Sequence, residues 1–117
     1  MTRSKKTPFQ PWQTCNNKGE EKRYIRLGNS LLLHKAVFDL SDKAFRVYVY
    51  MLIEAGGEKK FTYPRSKYKY ISSIDGFQRA KKELIQKGFI KEIEKNKQRR
   101  KENLYEFSED WKNYIPP

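Results

Sequence analysis

Ser72-Ser73-Ile74-Asp75-Gly76-Phe77-Gln78-Arg79-Ala80-Lys81-Lys82-Glu83-Leu84-Ile85-Gln86-Lys87-Gly88-Phe89-Ile90 decides how this chain folds. It opens on two hydroxyl residues, and a serine oxygen there takes up an N–H that the first turn of a helix leaves unpaired. Phe77, Ala80, Lys81 (by its aliphatic stem), Leu84 and Ile85 then share one side of a helix over about 73–87. Gly88 is placed to close that helix. The opposite side carries Gln78, Arg79 and Lys82, with Asp75 and Gly76 near the start. Phe89 and Ile90 lead directly into a strand over 89–94. Ile90 and Ile93 break its alternation, which predicts a bulge or an early twist.

The next segment, Lys95-Asn96-Lys97-Gln98-Arg99-Arg100-Lys101, holds five cations and no acid. Leu104 to Phe107 follows as a second strand, with Tyr105 and Phe107 on one face and Glu106 on the other. The basic run therefore reads as the tip of a hairpin. A helix that feeds a hairpin with a cationic tip is a surface suited to nucleic-acid phosphate.

Upstream, Tyr24 to Leu27 is a short candidate strand. Asn29 or Ser30 starts a helix to about Leu40, with Leu33, Ala36, Val37 and Leu40 on one face. Ser41 caps the clearest helix of the chain, and Asp42 in its first turn suits the helix dipole. Ala44, Val47, Tyr48, Met51, Leu52 and Ala55 form its buried stripe, widened by Phe45, Val49 and Ile53, and Gly56-Gly57 ends it. Lys60 to Tyr63 is another short strand. Pro64 then opens a short helix to about Tyr70, with Tyr68 and Ile71 inward. Trp111 and Tyr114 are expected to fold back on the domain.

Residues 1–22 mix Lys, Thr, Asn, Gln and Pro without periodicity. They read as a flexible basic arm in which Phe9 and Trp12 are loose, ahead of a single domain over 23–117. At 117 residues no room is expected for a separate effector domain. The formal charge of +12 is unevenly spread: +5 in residues 1–26, +1 in 27–63, +8 in 64–103 and −2 in 104–117. Charge kept only for solubility has no need to cluster, so this distribution points to a polyanionic partner.

The residues argue against catalysis and bound cofactors. His34 is the only histidine and Cys15 the only cysteine, so no zinc ligand set and no internal disulfide are available. Gly56-Gly57 is a helix end and not a phosphate loop, and Asp39, Asp42 and Glu54 read as helix-surface acids. Most of the eight tyrosines fall on inward faces, with no readable His and Arg cluster around any of them. Without a signal peptide or an apolar run near eighteen residues, the expectation is a cytoplasmic protein with no membrane partner.

The order helix, short strand, short helix, tight turn, helix, strand, basic loop, strand resembles the winged helix-turn-helix family. The match is carried by Ser72 to Ile90, by Leu40-Ser41-Asp42-Lys43-Ala44 opening a long helix, and by Phe61-Thr62-Tyr63-Pro64 before a short one. The last two are similar to winged-helix domains of plasmid and phage replication initiators. The resemblance covers roughly residues 24–108 and implies an α+β fold, with a recognition helix at about 73–87 and a wing at 95–101. One departure stands out: Asp75-Gly76 occupies a place where many members carry Ser, Arg or Thr. Glycine costs about 1 kcal/mol of helix propensity relative to alanine, and aspartate repels phosphate.

The resemblance implies a double-stranded DNA partner. Arg79 is then the candidate for guanine and Gln78 for adenine. Ser72 and Ser73 at the helix start, with Lys67, Lys69 and Lys82, are candidates for phosphate. Lys97, Arg99, Arg100 and Lys101 in the wing join them. The role this implies is regulation of transcription, or help in replication, of a mobile element. A homodimer through Leu31, Leu32 or Phe38 is an open alternative. So are a low-specificity DNA or RNA binder and a protein-interaction module of a replication or conjugation complex.

Overall fold

The computed structural model describes Trp12, residues 14–16, residues 23–94 and residues 103–117. The architecture is α+β. In chain order it runs β1 (Thr14–Asn16), β2 (Arg23–Ile25), α1 (Asn29–Leu32), α2 (Lys35–Phe38), α3 (Asp42–Ala55) and β3 (Lys60–Thr62). Then come α4 (Arg65–Tyr68), α5 (Ile74–Gln86), β4 (Ile90–Glu94), β5 (Leu104–Phe107) and a 3₁₀ turn at Asp110–Asn113. β1 and β2 form an antiparallel pair. The other strands make one antiparallel sheet in the order β3-β5-β4.

α3 forms as its stripe dictates: Ala44, Val47, Tyr48, Met51, Leu52 and Ala55 are all buried. The Ser41 hydroxyl caps it by accepting from the Ala44 N–H at 3.1 Å. Gly56 ends it in the left-handed region at φ 62°, which favours glycine. The stripe is narrower than the sequence implies, because Ile53 is 52% exposed. The expected helix over 29–40 is two short ones. His34 interrupts it in an extended conformation, and its Nδ1 accepts from the Ala36 N–H at 3.1 Å, which restarts the helix. The break turns Leu33 out to 68% exposure and seats Leu31 in the core.

Aromatic rings tie the layers together. Tyr68 of α4 stacks on Phe77 of α5 at 3.9 Å, fixing the short helix against the long one. Phe61 of β3 stacks on Phe107 of β5 at 4.4 Å, and Tyr48 of α3 meets the rings of both Phe89 and Phe107 edge-on. On β5, Tyr105 and Phe107 are buried while Glu106 is only half-buried, and the β4–β5 register slips between Glu92 and Glu94, both as the sequence predicts. Trp12 corrects the reading of a loose residue: it is 8% exposed and its ring lies parallel to Phe107 at 6.1 Å. Phe9 lies outside the described residues.

The C-terminal segment closes over the end of α5. Trp111 is 2% exposed and stacks on Phe89 at 5.9 Å, and the Tyr114 hydroxyl donates to Asp39 at 2.9 Å. Gly88 permits this closure twice over. Its φ of 86° suits glycine, and a Cβ there would meet the Trp111 backbone nitrogen at 2.6 Å. Among the described residues no helix is long and apolar enough to cross a membrane.

Candidate nucleic-acid interface

α5 starts where the sequence places its cap. The Ser73 hydroxyl accepts from the Gly76 N–H at 3.0 Å, and Asp75 stands in the first turn. One face of the helix, with Phe77, Ala80 and Leu84, is buried. Ile85, expected inward, lies at the boundary with 36% exposure. The opposite face exposes Asp75, Gln78, Arg79, Lys82 and Gln86. Gln78, Arg79 and Lys82 make no hydrogen bond or ion pair among the described residues, so their polar groups are available to a partner.

Two cations hold the turn that presents this face. Lys43 of α3 donates to the Ile71 carbonyl at 2.8 Å, and Arg65 of α4 donates through Nη1 to the Ser72 carbonyl at 2.9 Å. Each carbonyl would otherwise end at a turn without a partner. Glu83 adds a third tie. Its two oxygens accept from the Ser41 N–H and the Ser41 hydroxyl, both at 2.7 Å, so mid-α5 is fixed to the start of α3. A carboxylate at a helix N-terminus also meets the positive end of its dipole.

These ties give the exposed face of α5 basic borders. Arg79 shares a cleft of about 360 Å³ with Lys43, Ser73 and Glu83. Gln78 shares another, of about 260 Å³, with Arg65, Tyr68 and Asn103. Lys43 and Arg65 were not singled out from the sequence. The partners they find lie 28 and 7 residues away, and neither separation carries a periodic signal.

Two of the sequence-predicted phosphate candidates find partners within the fold. Ser72 is only 8% exposed and its hydroxyl donates inward to the Ser73 carbonyl at 2.9 Å, so it is a structural residue of the turn. Lys67 points its ammonium toward Glu54 of α3, 3.8 Å away. Lys69 is exposed with its ammonium over the Tyr70 ring at 5.1 Å. Ser73 stays exposed beside Arg79. Lys97, Arg99, Arg100 and Lys101 lie outside the described residues.

The root of the hairpin is tied to α5 by a buried ion pair. Lys81 Nζ is 3.1 Å from Glu92 Oε2 of β4, with the two side chains 12% and 8% exposed. Asn103 at the start of β5 donates to the same oxygen at 3.0 Å. The Tyr105 hydroxyl lies in this group, and burial pushes its pKa up to about 12. Sequence periodicity assigned Lys81 inward by its stem alone. The missing information was the acid opposite it on β4.

Gly76 also has a structural reason. It is buried, and a Cβ there would meet the Ser72 hydroxyl oxygen at 2.8 Å and that of Ser73 at 3.1 Å. The glycine belongs to the close approach between helix and turn, and it does not dilute the exposed face. Among the described residues no group of His, Cys, Asp or Glu is placed to hold a metal ion.

Comparison with protein-family models, with curated proteins and with solved structures finds no match to the chain.

Proposed function

We propose that this chain is a winged helix-turn-helix protein that binds double-stranded DNA without catalysis, with α5 in the major groove and the basic run at 95–101 as the wing. The layout supports this. A strand lies between the first long helix and the helix-turn-helix pair α4–α5, and the sheet order β3-β5-β4 leads the two last strands into the basic run. The observation that carries the reading is the outward face of α5. Gln78, Arg79 and Lys82 on it have no side-chain partner among the described residues, and Lys43 and Arg65 border it. A helix of this kind fits the major groove, where its N-terminal half meets base edges.

The roles divide by chemistry. Arg79 is the guanine reader and Gln78 the adenine reader. Lys43, Arg65, Lys82 and Ser73 supply phosphate contacts, joined by Lys97, Arg99, Arg100 and Lys101 of the wing. Regulation or replication of a mobile element is the corresponding biological role. Selection of bound duplexes from a random pool, followed by titration at several salt concentrations, tests the reading. A recovered site should be held on the order of 10³-fold tighter than bulk DNA. Arg79→Ala should relax preference at one position and cost roughly 1–3 kcal/mol there. Negligible duplex affinity at physiological salt would overturn the proposal. Equal losses on all duplexes would demote Arg79 to a backbone contact.

A further inference from the structure

Ile74 is the first residue of α5 and is 55% exposed. Nothing in the fold calls for an isoleucine there. The side chain is absent from the hydrophobic core and from the partly buried residues packed on it. A β-branched residue also gains nothing in helix propensity. The adjacent cap is made by Ser73 and Gly76, without it. Its row continues at Gln78 and Lys82, one and two turns on, and both are exposed and polar. An apolar group thus leads a polar row, at the end of the helix that reaches base edges first.

Resting on the duplex-DNA reading above, we propose that Ile74 contacts the C5-methyl group of thymine and makes the site selective for a T·A pair. The chemistry is restrictive. In the major groove the thymine methyl is the apolar group that base edges present, and every other distinguishing group is a hydrogen-bond donor or acceptor. An aliphatic side chain has no use for those. Residues four apart on a helix have Cβ atoms about 5–6 Å apart, and successive bases rise about 3.4 Å. The thymine read by Ile74 therefore lies within about two base pairs of the base read by Gln78. Asp75 beside it makes no ion pair among the described residues.

The test replaces each thymine of a selected duplex, one at a time, by 2′-deoxyuridine, which keeps base pairing and the O4 acceptor and removes only the methyl. Binding of the full chain is measured by anisotropy. Loss of one buried methyl should weaken binding about fourfold at one position and leave the others unchanged. Ile74→Ala should bring that thymine-to-uracil ratio close to one, with circular dichroism unchanged. A ratio that persists in Ile74→Ala assigns the methyl to another residue and overturns the proposal. Tight duplex binding with no uracil effect at any position overturns it and leaves the DNA reading standing. Absence of duplex binding overturns both.

Discussion

Replacing Gly76 by alanine sets two forces of opposite sign against each other. In a solvent-exposed helix the change should stabilise, by about 1 kcal/mol of helix propensity. Here the added Cβ would sit 2.8 Å from the Ser72 oxygen, closer than a real contact permits, and 3.1 Å from the Ser73 oxygen, a tight contact. Neither oxygen is idle. Ser72 is buried and donates to the Ser73 carbonyl, and Ser73 accepts the Gly76 N–H as the cap of α5. Crowding of a packed site costs roughly 1–3 kcal/mol, and a weakened serine cap adds about 1 kcal/mol. Against the propensity gain, the net is a destabilisation of about 1–3 kcal/mol. For a domain of this size that lowers Tm by roughly 5–15 °C.

Urea unfolding followed by circular dichroism measures it, and a second variant identifies the cause. Ser72→Ala removes the nearer oxygen, while the Ser73 carbonyl keeps the Phe77 N–H as a partner at 2.9 Å. In the double variant the alanine at 76 should lose about 1 kcal/mol of its penalty, read as a coupling energy. A stabilised Gly76→Ala protein would refute the reasoning. So would a penalty that is the same with and without the Ser72 hydroxyl, since the crowding would then lie elsewhere.

Glu92→Ala leaves the Lys81 ammonium buried without its acid and should cost about 3 kcal/mol, the lower end for a broken buried pair. Lys81→Met with Glu92→Leu should recover most of that loss, and denaturant melts of the three proteins decide it. Burial holds Tyr63 and Tyr105 up to about 12 and Tyr48 higher still. An unfolded tyrosine loses its proton near pH 10, so above that pH the unfolded chain binds fewer protons than the folded one. These tyrosines therefore leave stability unchanged below about pH 10, and stability falls as pH rises through about 12. Denaturant midpoints that hold up to about pH 10 and fall above it check this. Asp75→Asn removes a carboxylate from the first turn of α5. It should tighten binding to all duplexes and narrow the gap between selected and random DNA, whereas a wider gap would make Asp75 a base reader.

The fold was largely legible because its longest elements are periodic and capped. α3 and α5 announce their faces by 3.6-residue spacing and their starts by Ser41 and Ser73. The failures share a cause. Leu33 was read as part of a continuous face because spacing cannot see that His34 will turn its ring onto Trp111, 5.1 Å away, and restart the helix. Trp12 was read as loose because its binding surface, the Phe107 ring, comes from the far end of the chain. At the candidate interface, exposure of Gln78, Arg79 and Lys82 followed from helix geometry. The inward turn of Ser72 and the diversion of Lys67 to Glu54 depend on contacts between elements, which local sequence does not encode.

The same contacts sort the residues of α5 by what constrains them. Gly76 is held by its approach to the turn, Phe77 by Tyr68, Lys81 by Glu92 and Glu83 by Ser41. Changing any of these first alters how the helix is seated. The side chains of Ile74, Asp75, Gln78, Arg79 and Lys82 make no hydrogen bond or ion pair among the described residues. The packing of the fold does not depend on these side chains, so under the proposed function they are the ones free to meet DNA. Lys43 and Arg65 belong to both groups, because each spends one donor on a turn carbonyl while its charge stays beside the exposed face. Neutralising either should therefore loosen the presentation of α5 and weaken phosphate attraction together. Substitution at Ile74 or Gln78 should change which duplex is preferred while the fold keeps its stability.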